Sequence, residues 1–301
     1  MSSLLQRLSA RLPFLDRLVP MPPVVSLVRL EGVIAAGRGQ RALNLSNLDP
    51  VLTRAFKLPR RAAVALIVNS PGGSAAQSAL IGSRIRQLAD EEGVKVIAFV
   101  EDAAASGGYW LACAADEIIA AEPSIIGSIG VIYAGFGFHD AIARIGVERR
   151  VYTAGRAKSV LDPFLAEKPE DVARLGVLQS EIHGQFIAWV KARRGAKLKG
   201  DDAELFNGEF WTGAAARERG LVDDLGTLHG VLQERFGRAV RIARFEARPR
   251  WRLPVLGGLA QRAPVGATPT PGALSGGFGA ELAEGLLTAA EERAWWARLG
   301  L

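Results

Sequence analysis

Residues 63–100 read AVALIVNSPGGSAAQSALIGSRIRQLADEEGVKVIAFV, and this stretch decides the fold class. AVALIV (63–68) is a short apolar run that ends in Asn69-Ser70-Pro71-Gly72-Gly73, which reads as a strand running into a turn. Residues 75–92 have a helical pattern, and Gly93 follows where a residue tolerating the left-handed conformation closes a helix. VKVIAFV (94–100) is the next strand. Apolar strands separated by a helix make a parallel sheet. Runs with no polar alternation make one that is buried on both faces.

The same reading extends outward. Residues 24–34 (VVSLVRLEGVI) are β-branched and predict a strand, SGGYWLACAAD predicts a short helix, and EIIAA another strand. VERRVY (147–152) reads as a strand, residues 169–194 as a long helix, and 213–237 as shorter helices. The class is therefore α/β, and no repeat of 20–50 residues is visible.

Composition narrows the chemistry. The 301 residues carry 37 Lys+Arg against 31 Asp+Glu, a net charge of +6, with one cysteine (Cys113) and three histidines (His139, His183, His229). One cysteine forms no internal disulfide, and these counts make no zinc-finger or H-E-x-x-H spacing. The charge is spread along the chain and only 7% of residues are aromatic, so no nucleic-acid role is expected.

Four segments are expected. Residues 1–23 form an amphipathic basic stretch with leucines at helical spacing, interrupted by Pro13. It suits a membrane surface or a face of the protein itself. Residues 24–253 form the main domain, 254–279 a Gly/Pro-rich linker, and 280–301 a C-terminal helix with Trp295 and Trp296 near its end. Those tryptophans suit an interfacial anchor or packing back on the domain. Arg238, Arg241, Arg244, Arg248, Arg250 and Arg252 fit either an anion-binding patch or the solvated face of an edge strand. No run of 18 apolar residues is present, so no membrane-spanning helix is expected.

Two loops after strands hold the candidate chemistry. In Asn69–Gly73, glycines at the head of a helix let backbone N–H groups face an anion or a developing oxyanion. A plain Pro-Gly turn is the alternative. In Asp102-Ala103-Ala104-Ala105-Ser106-Gly107-Gly108-Tyr109, small neighbours leave the Ser106 hydroxyl room to act as a nucleophile, with the Gly107 N–H beside it. A serine N-cap is the alternative. AASGG is near the nucleophile-elbow form G-x-S-x-G but lacks its first glycine. A base is needed, either one of the three histidines or a lysine whose charge burial disfavours. Lys158, in Thr153-Ala154-Gly155-Arg156-Ala157-Lys158-Ser159, is the candidate lysine.

Taken in order, LEGVI (30–34), NSPGG (69–73), DAAASGGYW (102–110), ADEIIAAEPSIIGSIGVI (115–132), GRAKS (155–159) and EFWTGAAARERGLVDDLG (209–226) resemble the signal peptide peptidase A family of serine peptidases in its short single-repeat form. The resemblance covers about residues 24–237. It implies a caseinolytic-protease/crotonase-like spiral of β-β-α units. Ser106 would be the nucleophile and Lys158, 52 residues on, the general base. Ser128 would orient the lysine amine, and Gly73 and Gly107 would supply the oxyanion amides. No metal or organic cofactor is implied. The implied partners are an extended apolar peptide, such as a signal-peptide remnant or misfolded membrane-protein segment, and further copies of the chain in a ring or dome. The family's usual N-terminal membrane segment has no counterpart here, so the expected location is cytoplasmic, with peripheral contact at the inner face of a membrane. A crotonase-like acyl-CoA enzyme and a non-catalytic membrane-associated scaffold are the competing readings.

Overall fold

The computed structural model describes residues 22–36, 42–155, 157–246, 290 and 293–301. Nearly all of the expected segment 1–23, the whole linker 254–279, most of the 280–301 helix, and Arg248, Arg250 and Arg252 lie outside the described residues.

Strand β1 (Val24–Glu31) pairs in parallel with β2 (Arg61–Ser70), which pairs in parallel with β3 (Val96–Ala105). Helix α1 (Leu45–Phe56) connects the first pair and α2 (Ala75–Glu92) the second. Gly93 closes α2 as expected, at φ +56 with its N–H donating to the Ala89 and Asp90 carbonyls. Alternate residues of the strands enter two cores. Val28, Leu30, Val64, Leu66 and Val68 pack in the larger one with residues of α1 and α2. Val25, Leu27, Ala65, Ile67 and Phe99 pack in the smaller one with Leu232. Both faces are covered, which is why AVALIV has no polar alternation.

The sheet turns as a spiral. Strand β3 pairs along Ile97–Val100 with β4 (Glu117–Ala120), and along Ala103–Ala105 with the separate strand β5 (Ile125–Gly127). Earlier turns repeat this on a smaller scale, because Ile34, just past β1, bridges Gly73, just past β2. Each turn thus contributes one long strand and one short one beyond its carboxyl end, the expected caseinolytic-protease/crotonase-like pattern. The remaining elements are α3 (Gly107–Ala112), α4 (His139–Arg144), α5 (Pro169–Arg194), α6 (Asp202–Leu205), β6 (Phe210–Thr212), α7 (Gly213–Glu218), β7 (Asp224–Leu225), α8 (Leu228–Phe236) and β8 (Arg241–Phe245). Strand β8 forms the edge beside β1 and exposes Arg241 and Arg244, in line with a solvated edge strand.

The carboxyl-terminal half of α5 is built into the body. Trp110 stacks on Phe186 at 4.7 Å between centroids, and the Trp189 indole donates to the Trp110 carbonyl at 3.0 Å. Arg194, almost fully buried, pairs with Asp223 at 2.7 Å and donates to the Gly220 carbonyl. Burial pushes the Asp223 carboxyl up, but hydrogen bonds from Arg194 and Lys197 and from the Ile118 N–H outweigh it and hold the group below its ordinary value.

Residues 131–168 are different. Tyr133, Phe136, Ile145, Val147 and Tyr152 are all exposed there, as are Val172 and Val177 in the first half of α5. The strand expected at 147–152 is not formed. Val147 is 52% and Tyr152 92% exposed, and a β-branched run becomes a strand only where another strand takes its backbone N–H and C=O groups. None of the described residues offers that pairing.

Candidate active site

The two loops singled out above meet at the carboxyl ends of β2 and β3. Buried Ser70 donates from Oγ to the Gly32 carbonyl (2.7 Å) and accepts from the Gly72 N–H (3.2 Å). Ile34 N–H donates to the Gly72 carbonyl (2.8 Å), and Ser74 N–H to the Ile34 carbonyl (2.7 Å). These bonds hold Gly72 at φ +105 and Gly73 at φ +136, conformations that L-residues with a Cβ avoid. Asn69 ties this loop to the next. Its side-chain amide donates to Asp102 at 2.7 Å and its carbonyl oxygen accepts the Ala103 N–H at 3.2 Å.

Ser106 follows β3 and stands at φ 52, ψ −121, a sparsely populated backbone state that costs about 1–3 kcal/mol. Its N–H donates to the Gly127 carbonyl (2.8 Å), and its carbonyl accepts from Tyr109 and Trp110. The hydroxyl makes no capping bond to α3. The N-cap alternative therefore fails. The backbone is strained and, among the described residues, the hydroxyl has no hydrogen-bond partner, the geometry that would suit a nucleophile on a sharp strand-to-helix turn. Both expected oxyanion amides stand beside it. Gly73, Ser106 and Gly107 line one cavity of about 160 Å³, walled by Trp110, Ile132, Ile182 and Phe186. Among the described residues neither the Gly73 nor the Gly107 N–H donates to a backbone carbonyl.

The sequence relationships agree with this geometry. The model of peptidase family S49 matches residues 89–236. The chain is 32% identical over 201 residues to slr0021 of Synechocystis sp., a protease by name, covering 67% of this chain and 70% of that one. The chain belongs to peptidase family S49.

Two other likenesses frame this S49 chain. The Na(+)/H(+) antiporter NhaA of Brucella abortus (strain 2308) is 46% identical to it over 310 residues; the match takes in the whole chain but spans only 41% of the length of the antiporter. A solved structure of the 1510-N membrane-bound stomatin-specific protease with a substrate peptide aligns at TM-score 0.48 and 17% identity, over 75% of this chain and 93% of that one. Family S49 is a family of serine proteases.

The other candidate residues of the S49 chain fall in different places. Ser128 is next to Ser106, because the parallel register sets Ala105 opposite Gly127. It shares the φ of 52, and its N–H donates to the Glu209 carbonyl at 2.6 Å. Lys158 is exposed on the 131–168 segment and does not line the cavity. The burial expected for a neutral lysine is therefore not met among the described residues, none of which covers that side chain. The histidines lie elsewhere. His183 Nε2 donates to the Ile129 carbonyl at 3.0 Å, His139 sits beside Asp140, and His229 lines a separate cavity near Arg29 and Glu101. Cys113 is buried and its thiol is pushed up to about 12 by desolvation, which removes it as a nucleophile.

Sequence reading missed the backing of Ser106. A Cβ on Gly72 would lie 2.8 Å from Ser106 Cβ and 2.9 Å from the Gly107 nitrogen. Gly72 thus leaves the room that Ser106 and the Gly107 N–H occupy. Gly72→Ala is expected to lower kcat/KM on the order of 100-fold by displacing the serine, and to destabilise the fold by about 2 kcal/mol or more through strain at positive φ. Peptide-cleavage kinetics and thermal unfolding of the variant check this. Unchanged values in both would show that the contact is not tight.

Proposed function

We propose that this chain is a serine endopeptidase working through a Ser106–Lys158 dyad. The observation that carries the reading is Ser106 itself, strained, uncapped, and flanked by the Gly73 and Gly107 amides at the mouth of an apolar cavity. In the proposed reaction the Lys158 amine takes the Ser106 proton as Oγ bonds to the peptide carbonyl carbon. The resulting oxyanion accepts hydrogen bonds from the two glycine amides. The C–N bond then breaks, the leaving nitrogen takes the proton from Lys158, and water releases the acyl group by the reverse sequence. Ser128 orients the lysine amine.

The apolar wall supports substrates that are extended apolar peptides, such as signal-peptide remnants or segments of misfolded membrane proteins. The uncovered apolar side chains of 131–168 support assembly with further copies, which would also bury the segment bearing Lys158. No helix of the described residues is long and apolar enough to cross a membrane. Work at a membrane surface is part of the proposal, and the match within part of a chain named as a Na(+)/H(+) antiporter fits it.

Covalent labelling tests the reading. A fluorophosphonate is expected to modify the purified protein at Ser106, identified by peptide mass mapping. Absence of label at Ser106 in protein that cleaves peptide would overturn it.

A further inference from the structure

We infer that Trp295, near the carboxyl end of the chain, is a specificity-determining wall of the substrate cavity; this rests on the peptidase reading above. The helical turn at residues 293–297 presents one face to the body. Trp295, Trp296 and Leu299 are half-buried, while residues 293, 294, 297 and 298 are exposed. Trp295 lines the same cavity as Ser106, Gly73 and Gly107, although 189 residues separate it from Ser106 in the sequence. The Arg298 guanidinium lies over the Trp295 ring, 4.9 Å from its centroid. Spaced three residues on, it covers one face of the indole and steadies it by cation–π attraction.

The cavity retains about 160 Å³ with the indole among its lining residues. Trp295 is therefore a wall and not a plug. It bounds a space otherwise framed by Trp110, Ile132, Ile182 and Phe186. A peptide side chain placed beside Ser106 enters this apolar-walled space and meets the Trp295 indole. The larger that side chain, the more it competes with the indole for room. The amphipathic end of the chain, whose paired tryptophans fitted an anchor as well as a return to the domain, thus takes part in selecting the peptide.

The test compares three peptidyl-aminomethylcoumarins that differ only in the residue before the scissile bond: leucine, phenylalanine or tryptophan. The expected wild-type order is leucine first and tryptophan last. In Trp295→Ala, with the fold checked by circular dichroism, the tryptophan-to-leucine ratio of kcat/KM should rise at least about tenfold, the effect expected when a bulky wall is removed from an apolar pocket. Trp295→Phe should fall between the two. Ser106-dependent cleavage with an unchanged ratio in Trp295→Ala would overturn the role of Trp295 and leave the peptidase standing. Cleavage that persists in Ser106→Ala, or no cleavage of any of the three by the wild type, would overturn the peptidase reading and this inference with it.

Discussion

Ser106→Ala is expected to abolish peptide cleavage and to leave the fold as it is. The hydroxyl makes no capping bond to α3, so removing it leaves no buried group unpaired. The strain at φ 52 belongs to the backbone and is the same for alanine. Stability should therefore change by less than about 0.5 kcal/mol. The reaction, by contrast, loses the atom that bonds to the carbonyl carbon. Loss of a nucleophile lowers kcat on the order of 10⁴-fold or more, with a remainder from the oxyanion amides and binding alone. Hydrolysis of an apolar peptide, followed beside a thermal melt, reads both quantities. A variant that melts like the wild type and still cleaves at more than a tenth of its rate would remove Ser106 from the mechanism.

Lys158→Ala is the second large effect. General acid–base catalysis contributes about 10²–10⁴-fold, and a loss of that size in kcat/KM is expected. The side chain is exposed in the single chain, so stability should again move by less than about 0.5 kcal/mol. Non-additivity separates a base from a bystander. With Ser106 already replaced by alanine, adding Lys158→Ala should cost no further activity, because the lysine acts only through the serine. A further loss of the size seen in the single Lys158→Ala variant would assign the base elsewhere. Lys158→Arg is a useful companion, because a guanidinium keeps the charge but does not give up its proton; it should be as inactive as the alanine variant.

Much of the site was legible before the fold was known, and for a local reason. The helix at 75–92, its closing Gly93 and the long helix at 169–194 follow from spacing and end signals that neighbouring residues set among themselves. The glycines at 72–73 and 107–108 were legible likewise, because a glycine between a strand and a helix is a local signature; the oxyanion role of Gly73 came from the family resemblance alone. The strand expected at 147–152 was not, since its β-branched residues meet no partner strand among the described residues. Nor did anything local show that Gly72 must be bare to make room for Ser106, a contact between residues 34 positions apart.

The sequence by itself determined the α/β class, the helices at 75–92 and 169–194, and the pair of loops that hold the candidate residues. Apolar periodicity and glycine placement act over a few residues, and hydrogen bonds within a turn are made or lost there. Only the tertiary structure decided that Ser106 is a strained residue with a free hydroxyl and not an N-cap. That state depends on Gly127 accepting its N–H and on the space that Gly72 leaves open. It alone placed Ser128 beside Ser106, left Lys158 on an uncovered segment, and returned Trp295 to the cavity. Each of these depends on which distant surfaces exclude water together, and packing of that kind leaves no period in a sequence.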